Sequence, residues 1–163
     1  MIYPTGDSYC FQFNSANDVS WIHSDVLLSE IKTNPERNHY AAVIFLTPDP
    51  PIECGTSIYT HNKYNYSNCK DILKNNKSIS RIEEISNDID LTSSDLSKWK
   101  VNSHLSNKYN RCVIYNSSYY HQSNNYFGKN IEDCRLIQVV FFYTIDNDEN
   151  KSPDIVYNNI IKD

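Results

Sequence analysis

The sequence predicts a mainly β protein of the sandwich or jelly-roll class, folded as one domain over its 163 residues. Three observations carry this expectation: several short apolar runs bounded by turn residues, one long polar stretch interrupting them, and a run from Arg135 to Thr144 that is apolar at both alternating positions. A chain of this size can bury a core without disulfides or structural zinc.

Residues 1–8, with Pro4 and Gly6, read as a lead-in loop. Tyr9 to Phe13 alternates with period two, as a half-buried strand does, and Asn14 to Asp18 is turn chemistry that returns the chain into Val19–His23 as a hairpin. Val26 to Arg37 reads as a loop with a helical turn ended by Asn34-Pro35. Tyr40 to Leu46 is too short for a typical helix and stops at a proline cluster, so it reads as a buried strand. Cys54-Gly55 provides a tight turn or a close backbone approach before a strand through Ile58-Tyr59.

Residues 61–107 are rich in Asn, Lys, Ser and acids and read as a partly helical insertion, the expected substrate lid. Within it, Asp71-Ile72-Leu73 and Ile82-Glu83-Glu84-Ile85 suggest short helices. Thr92-Ser93-Ser94-Asp95 has capping-box spacing ahead of Leu96 and Trp99. Arg111–Tyr115 is a short strand, Asn116-Ser117-Ser118 a turn, Asn124–Asp133 a polar loop holding Gly128, and Arg135–Thr144 a central strand sandwiched on both faces. Residues 145–163 read as a tail or a short helix around Ile155-Val156.

The net charge of −5 provides no basic footprint for phosphate backbones, so nucleic acid is an unlikely partner. Five cysteines without a CxxC pair suit buried reduced thiols in a cytoplasmic protein. No apolar run is long enough to span a bilayer. The oligomeric state is not encoded in any motif.

The chemistry centres on His23-Ser24-Asp25. In an extended segment, residues two apart project from one face and present an imidazole and a carboxylate together, with Trp21 beside them. His121 is the best third ligand. Two histidines and one carboxylate leave open positions on an octahedral metal, the arrangement of non-haem Fe(II) oxygenases. Arg135 opens an apolar strand, where a cation is costly unless paired, so an anionic partner is expected; an ion pair with Glu132 or Asp133 is the alternative. His39, His61 and His104 read as surface or supporting histidines.

His23 and Asp25, the glycine-led Gly55–Tyr59 strand, Val113-Ile114-Tyr115 leading to His121, then Gly128, Arg135 and Phe141-Phe142, resemble in order the Fe(II)- and 2-oxoglutarate-dependent oxygenases. Asn110–Tyr115 and Tyr126–Val139 look similar to a small bacterial and phage subfamily of them. The resemblance implies a double-stranded β-helix, with Fe(II) held by His23, Asp25 and His121 and 2-oxoglutarate held by Arg135. It also implies dioxygen as co-substrate and hydroxylation of a small molecule, amino acid or peptide with release of succinate and CO2. Thr56, Tyr59 and Tyr115 are candidate hydroxyl donors to the cosubstrate. The competing readings are a non-catalytic jelly-roll binding or virion-associated module, and a cupin-like dioxygenase or isomerase.

Overall fold

The β-branched and aromatic residues that set the short apolar runs pair into two antiparallel sheets. The computed structural model describes residues 2–145 and 155–159. The larger sheet contains β1 (Ile2–Asn14), β7 (Arg135–Ile145), β2 (Arg37–Phe45), β5 (Arg111–Asn116) and β8 (Ile155–Asn159), in that spatial order. The smaller has β3 (Thr56–His61) between β4 (Trp99–Leu105) and β6 (His121–Ser123). The fold is therefore mainly β and antiparallel. No helix among the described residues is long and apolar enough to cross a membrane.

The sheets meet through Val43 and Phe45 of β2, Ile58 of β3, Leu105 of β4, Val113 of β5, and Ile137 and Val139 of β7, all buried in one apolar cluster. Within the small sheet Gly55 permits the close approach of β4 to the start of β3, since a Cβ there would collide with the Leu105 carbonyl oxygen. The other face of the small sheet is covered by α1 (Leu28–Thr33), α2 (Lys70–Asn75) and α3 (Ile79–Leu91). Ile82, Ile85 and Ile89 of α3 fall on one helical face and bury against Tyr59, Ile72, Trp99 and Tyr120 in a second core.

Several expectations are corrected. Residues 2–4 belong to β1 rather than to a loop; Pro4 is accommodated because β1 is an edge strand, and the register with β7 shifts between Pro4 and Tyr9. β1 does not form a hairpin with Val19–His23: its partner is β7, and His23 makes only an isolated bridge. The 61–107 stretch is not a loose insertion. It supplies β4 and the helices α2 and α3 of the second core, because Ile82, Ile85 and Ile89 recur at helical spacing and bury together with Ile72. Thr92 closes α3, its hydroxyl donating to the Asp88 carbonyl at 2.7 Å, while Asp95 caps a single 3-10 turn at Leu96–Lys98.

β7 is interior to its sheet but buries one face, that of Arg135, Ile137 and Val139; the other stays half-exposed. Ile155–Asn159 is a strand paired with β5, not a helix, and the rest of the expected tail beyond Ile145 lies outside the described residues. Four cysteines are buried and Cys10 is exposed; all are free thiols.

Candidate metal centre

The segment from Ile22 to Asp25 belongs to no sheet, yet it is fixed from three sides. Ile22 N–H donates to the Ser93 carbonyl (3.0 Å), and Asp25 N–H donates to the Ser117 carbonyl (2.9 Å). His23 and His121 exchange both backbone bonds, at 3.0 and 2.8 Å. A mutually bonded antiparallel pair directs both side chains to the same side. The two imidazole centroids stand 4.5 Å apart.

Asp25 completes the group. One carboxylate oxygen lies 3.6 Å from His23 Nε2 and the other 3.5 Å from His121 Nε2. One ligand atom from each of the three residues falls within 4.8 Å of the others, so the set could hold a metal ion. The tautomers follow from the opposite ring edges. His23 Nδ1 donates to the Trp21 carbonyl and His121 Nδ1 to the Tyr119 carbonyl, each at 2.9 Å. A carbonyl only accepts, so each Nδ1 carries the proton, and in the neutral ring each Nε2 keeps its lone pair for a metal.

Burial acts on both imidazoles but not with the same result. His121 is almost fully enclosed, and burial lowers its pKa despite the opposing charge of Asp25. For the more open His23, burial also lowers the pKa, but the hydrogen bond and charge of Asp25 and the bond to Trp21 outweigh it and leave a net upward shift.

Arg135 shares a cleft of about 370 Å³ with all three residues. Its exposure is 0%, its Nε donates to the Cys54 carbonyl and its Nη1 to Asn14 Oδ1, both at 3.3 Å, and its Nη2 is buried without a hydrogen-bond partner. Asp133, one expected partner, instead accepts from the backbone of Lys129 and Asn130. Among the described residues no carboxylate pairs with this guanidinium. Burial pulls its pKa down, yet arginine stays protonated at neutral pH. A cation so enclosed and short of one bond has a donor to spare for an anionic group.

Thr56 and Tyr115 line the same cleft, as does the half-exposed Trp21. Burial, reinforced by Asp25, holds the Tyr115 phenol well above its ordinary pKa, so it is a neutral O–H. Tyr59 is a correction: it lies in the helix-backed core, because strand alternation leaves Thr56 and Tyr59, three residues apart, on opposite faces of β3. No residue of 61–107 lines the cleft; the stretch touches the site through Ser93, whose carbonyl accepts from Ile22 N–H.

His39, His61 and His104 stand apart from the cluster, and His39 and His61 are buried rather than on the surface. Asn14, opposite Arg135 in the β1–β7 register, and Tyr126, whose ring centroid is 5.6 Å from the guanidinium carbon, are cleft residues that sequence reasoning missed. Gly128, at φ +77°, is the one signal near Tyr126; its carbonyl accepts from Ala16 N–H and ties that loop to the segment after β1.

None of the curated proteins compared with the chain matches it, and none of the solved structures does. A family model described as a family of unknown function, DUF6445, matches residues 23–134, well over half of the chain, from the first candidate ligand to the residue before Arg135. The protein belongs to the DUF6445 family.

Proposed function

We propose that the protein is an Fe(II)- and 2-oxoglutarate-dependent dioxygenase on a double-stranded β-helix, hydroxylating a small molecule, amino acid or peptide with release of succinate and CO2. The observation that carries the reading is the convergence of His23, Asp25 and His121, both imidazoles locked with Nε2 toward one carboxylate. Two neutral nitrogens and one carboxylate suit Fe(II) and leave coordination positions free. The buried, incompletely bonded Arg135 in the same cleft fits the distal carboxylate of the cosubstrate.

When bound, the iron and the keto acid supply the oxidising chemistry with dioxygen. His23 and His121 hold the ion through Nε2, and their Nδ1 bonds keep the rings from rotating. Asp25 neutralises one of its charges. Arg135 orients the cosubstrate through its free Nη2, with Tyr126 against the guanidinium, while Thr56 and the protonated Tyr115 offer hydroxyls to its oxygens.

Anaerobic titration of metal-free protein with Fe(II) and then 2-oxoglutarate tests this. A weak visible charge-transfer band is expected in the wild type and absent in His121→Ala. No band in folded wild-type protein would sink the reading and favour a non-catalytic binding module.

A further inference from the structure

A second cavity, of about 660 Å³, adjoins the cleft and shares Asp25 and Phe141 with it. The strand register explains its position. His39 pairs with Tyr143 and Ala41 with Phe141, so Arg37, His39, Phe141 and Tyr143 continue the face that carries Arg135, Ile137 and Val139. Here the opposite wall is formed by Val26, Leu27 and Glu30 instead of the small sheet, and the space between stays open.

The far end holds a cation and an anion with one free edge each. Arg37 Nη1 donates to Glu30 Oε1 at 3.0 Å, and the guanidinium lies 4.5 Å from the Tyr143 ring centroid. Arg37 Nε is buried without a hydrogen-bond partner, with Glu36 Oε1 4.0 Å away, beyond bonding reach. Asn34 Nδ2 also donates to Glu30 Oε1 at 3.0 Å, and His39 Nε2 lies 3.8 Å from that same atom, so the contacts crowd one oxygen and leave Oε2. His39 is 7% exposed, lines the cavity, and its Nε2 has no hydrogen-bond partner. Buried polar groups left in this state are costly and call for a ligand.

We propose that this cavity is the substrate pocket and takes a free α-amino acid with an apolar side chain. The carboxylate sits on Arg37 Nε and His39 Nε2, the ammonium on Glu30 Oε2, and the side chain runs past Val26, Leu27 and Phe141 toward Asp25. Arg37 precedes Ala41, the partner of Phe141, by four residues of β2, about 13 Å at strand rise, which separates the charged end of the cavity from its apolar end. As a substrate pocket it rests on the dioxygenase reading; as a binding site it is measurable without metal.

Calorimetric titration of the metal-free protein with L-phenylalanine and L-leucine is the test, with N-acetyl-L-phenylalanine and L-phenylalaninamide as controls lacking one charge each. At least one free amino acid should bind, and both blocked compounds should bind about tenfold or more weakly, the loss expected for one charge-assisted bond. Arg37→Gln and Glu30→Gln should each weaken the free amino acid by a similar factor while leaving metal affinity unchanged. No binding of either amino acid at millimolar concentration, equal binding of a blocked compound, or unaltered binding by Glu30→Gln overturns the proposal. If Arg37→Gln does not fold, Glu30→Gln and the blocked compounds decide. Failure of the iron titration with amino-acid binding intact would remove the dioxygenase reading and keep the site; the reverse would remove only the site.

Discussion

The two faces of the three-stranded sheet β4-β3-β6 are built from neighbouring residues and put to opposite uses. Toward the helices, His61 is buried between Tyr64 and Trp99, with ring centroids 5.1 and 4.8 Å away, and its Nε2 meets the Thr92 hydroxyl at 3.2 Å. Toward the large sheet, His121 is just as buried, but its Nδ1 is tied to a carbonyl and its Nε2 faces Asp25 across a cavity. Burial of a histidine is thus not what distinguishes a ligand. What distinguishes it is the bond behind the ring and the space in front of it.

If one face is packing and the other is chemistry, substitutions should separate cleanly. The largest effect is expected for His121→Ala: metal affinity should fall by more than about 100-fold, the upper range for losing even a supporting partner of a ligand. Its thermal midpoint without metal should stay close to wild type. A variant that binds metal normally would break the comparison.

Ile85→Ala on the helical face should do the reverse. Truncating a buried isoleucine in a packed core costs about 2–5 kcal/mol, read by denaturant unfolding, with metal affinity of the folded fraction unchanged. An equal loss of metal affinity would mean that the two faces are coupled through β3.

Arg135→Met sharpens the picture further. It should raise the 2-oxoglutarate requirement about tenfold or more, the worth of a charge-assisted pair, with little change in stability, since replacing a buried cation by an apolar side chain offsets the loss of its bonds to the Cys54 carbonyl and Asn14 Oδ1. Marked destabilisation would point to a structural cation instead. The smallest effect belongs to Tyr59→Phe, which should leave 2-oxoglutarate affinity unchanged because its ring belongs to the helical core.

The sequence spoke most clearly where chemistry and spacing coincide. His23 and Asp25 stood out by their period-two spacing, His121 by its place in an order that resembles the oxygenases, and Arg135 because a cation opening an apolar strand is costly unless paired; the fold brings all four to one cleft. Faces were harder. Thr56 and Tyr59 look alike as candidate donors; alternation puts them on opposite faces, but only the position of the helices tells which face is the cleft. β4 escaped notice because its solvent-facing residues leave an alternation of mostly exposed positions between buried Trp99 and Leu105. Asn14 and Glu30 carry no local signal and Tyr126 only that of nearby Gly128; each reaches its place through strand pairing or loop closure that acts across the chain.

The reciprocal bridge between His23 and His121 also fixes when the centre can exist. It closes a loop containing β2 to β5 and all three helices, and closing so long a loop is entropically unfavourable until the intervening contacts are in place. No short fragment of the chain contains the full ligand set. An ion held there, if the centre takes one, would therefore neither nucleate this fold nor rescue a partly made one; it would meet its ligands only once the chain has finished folding and act thereafter as a clasp on a completed architecture.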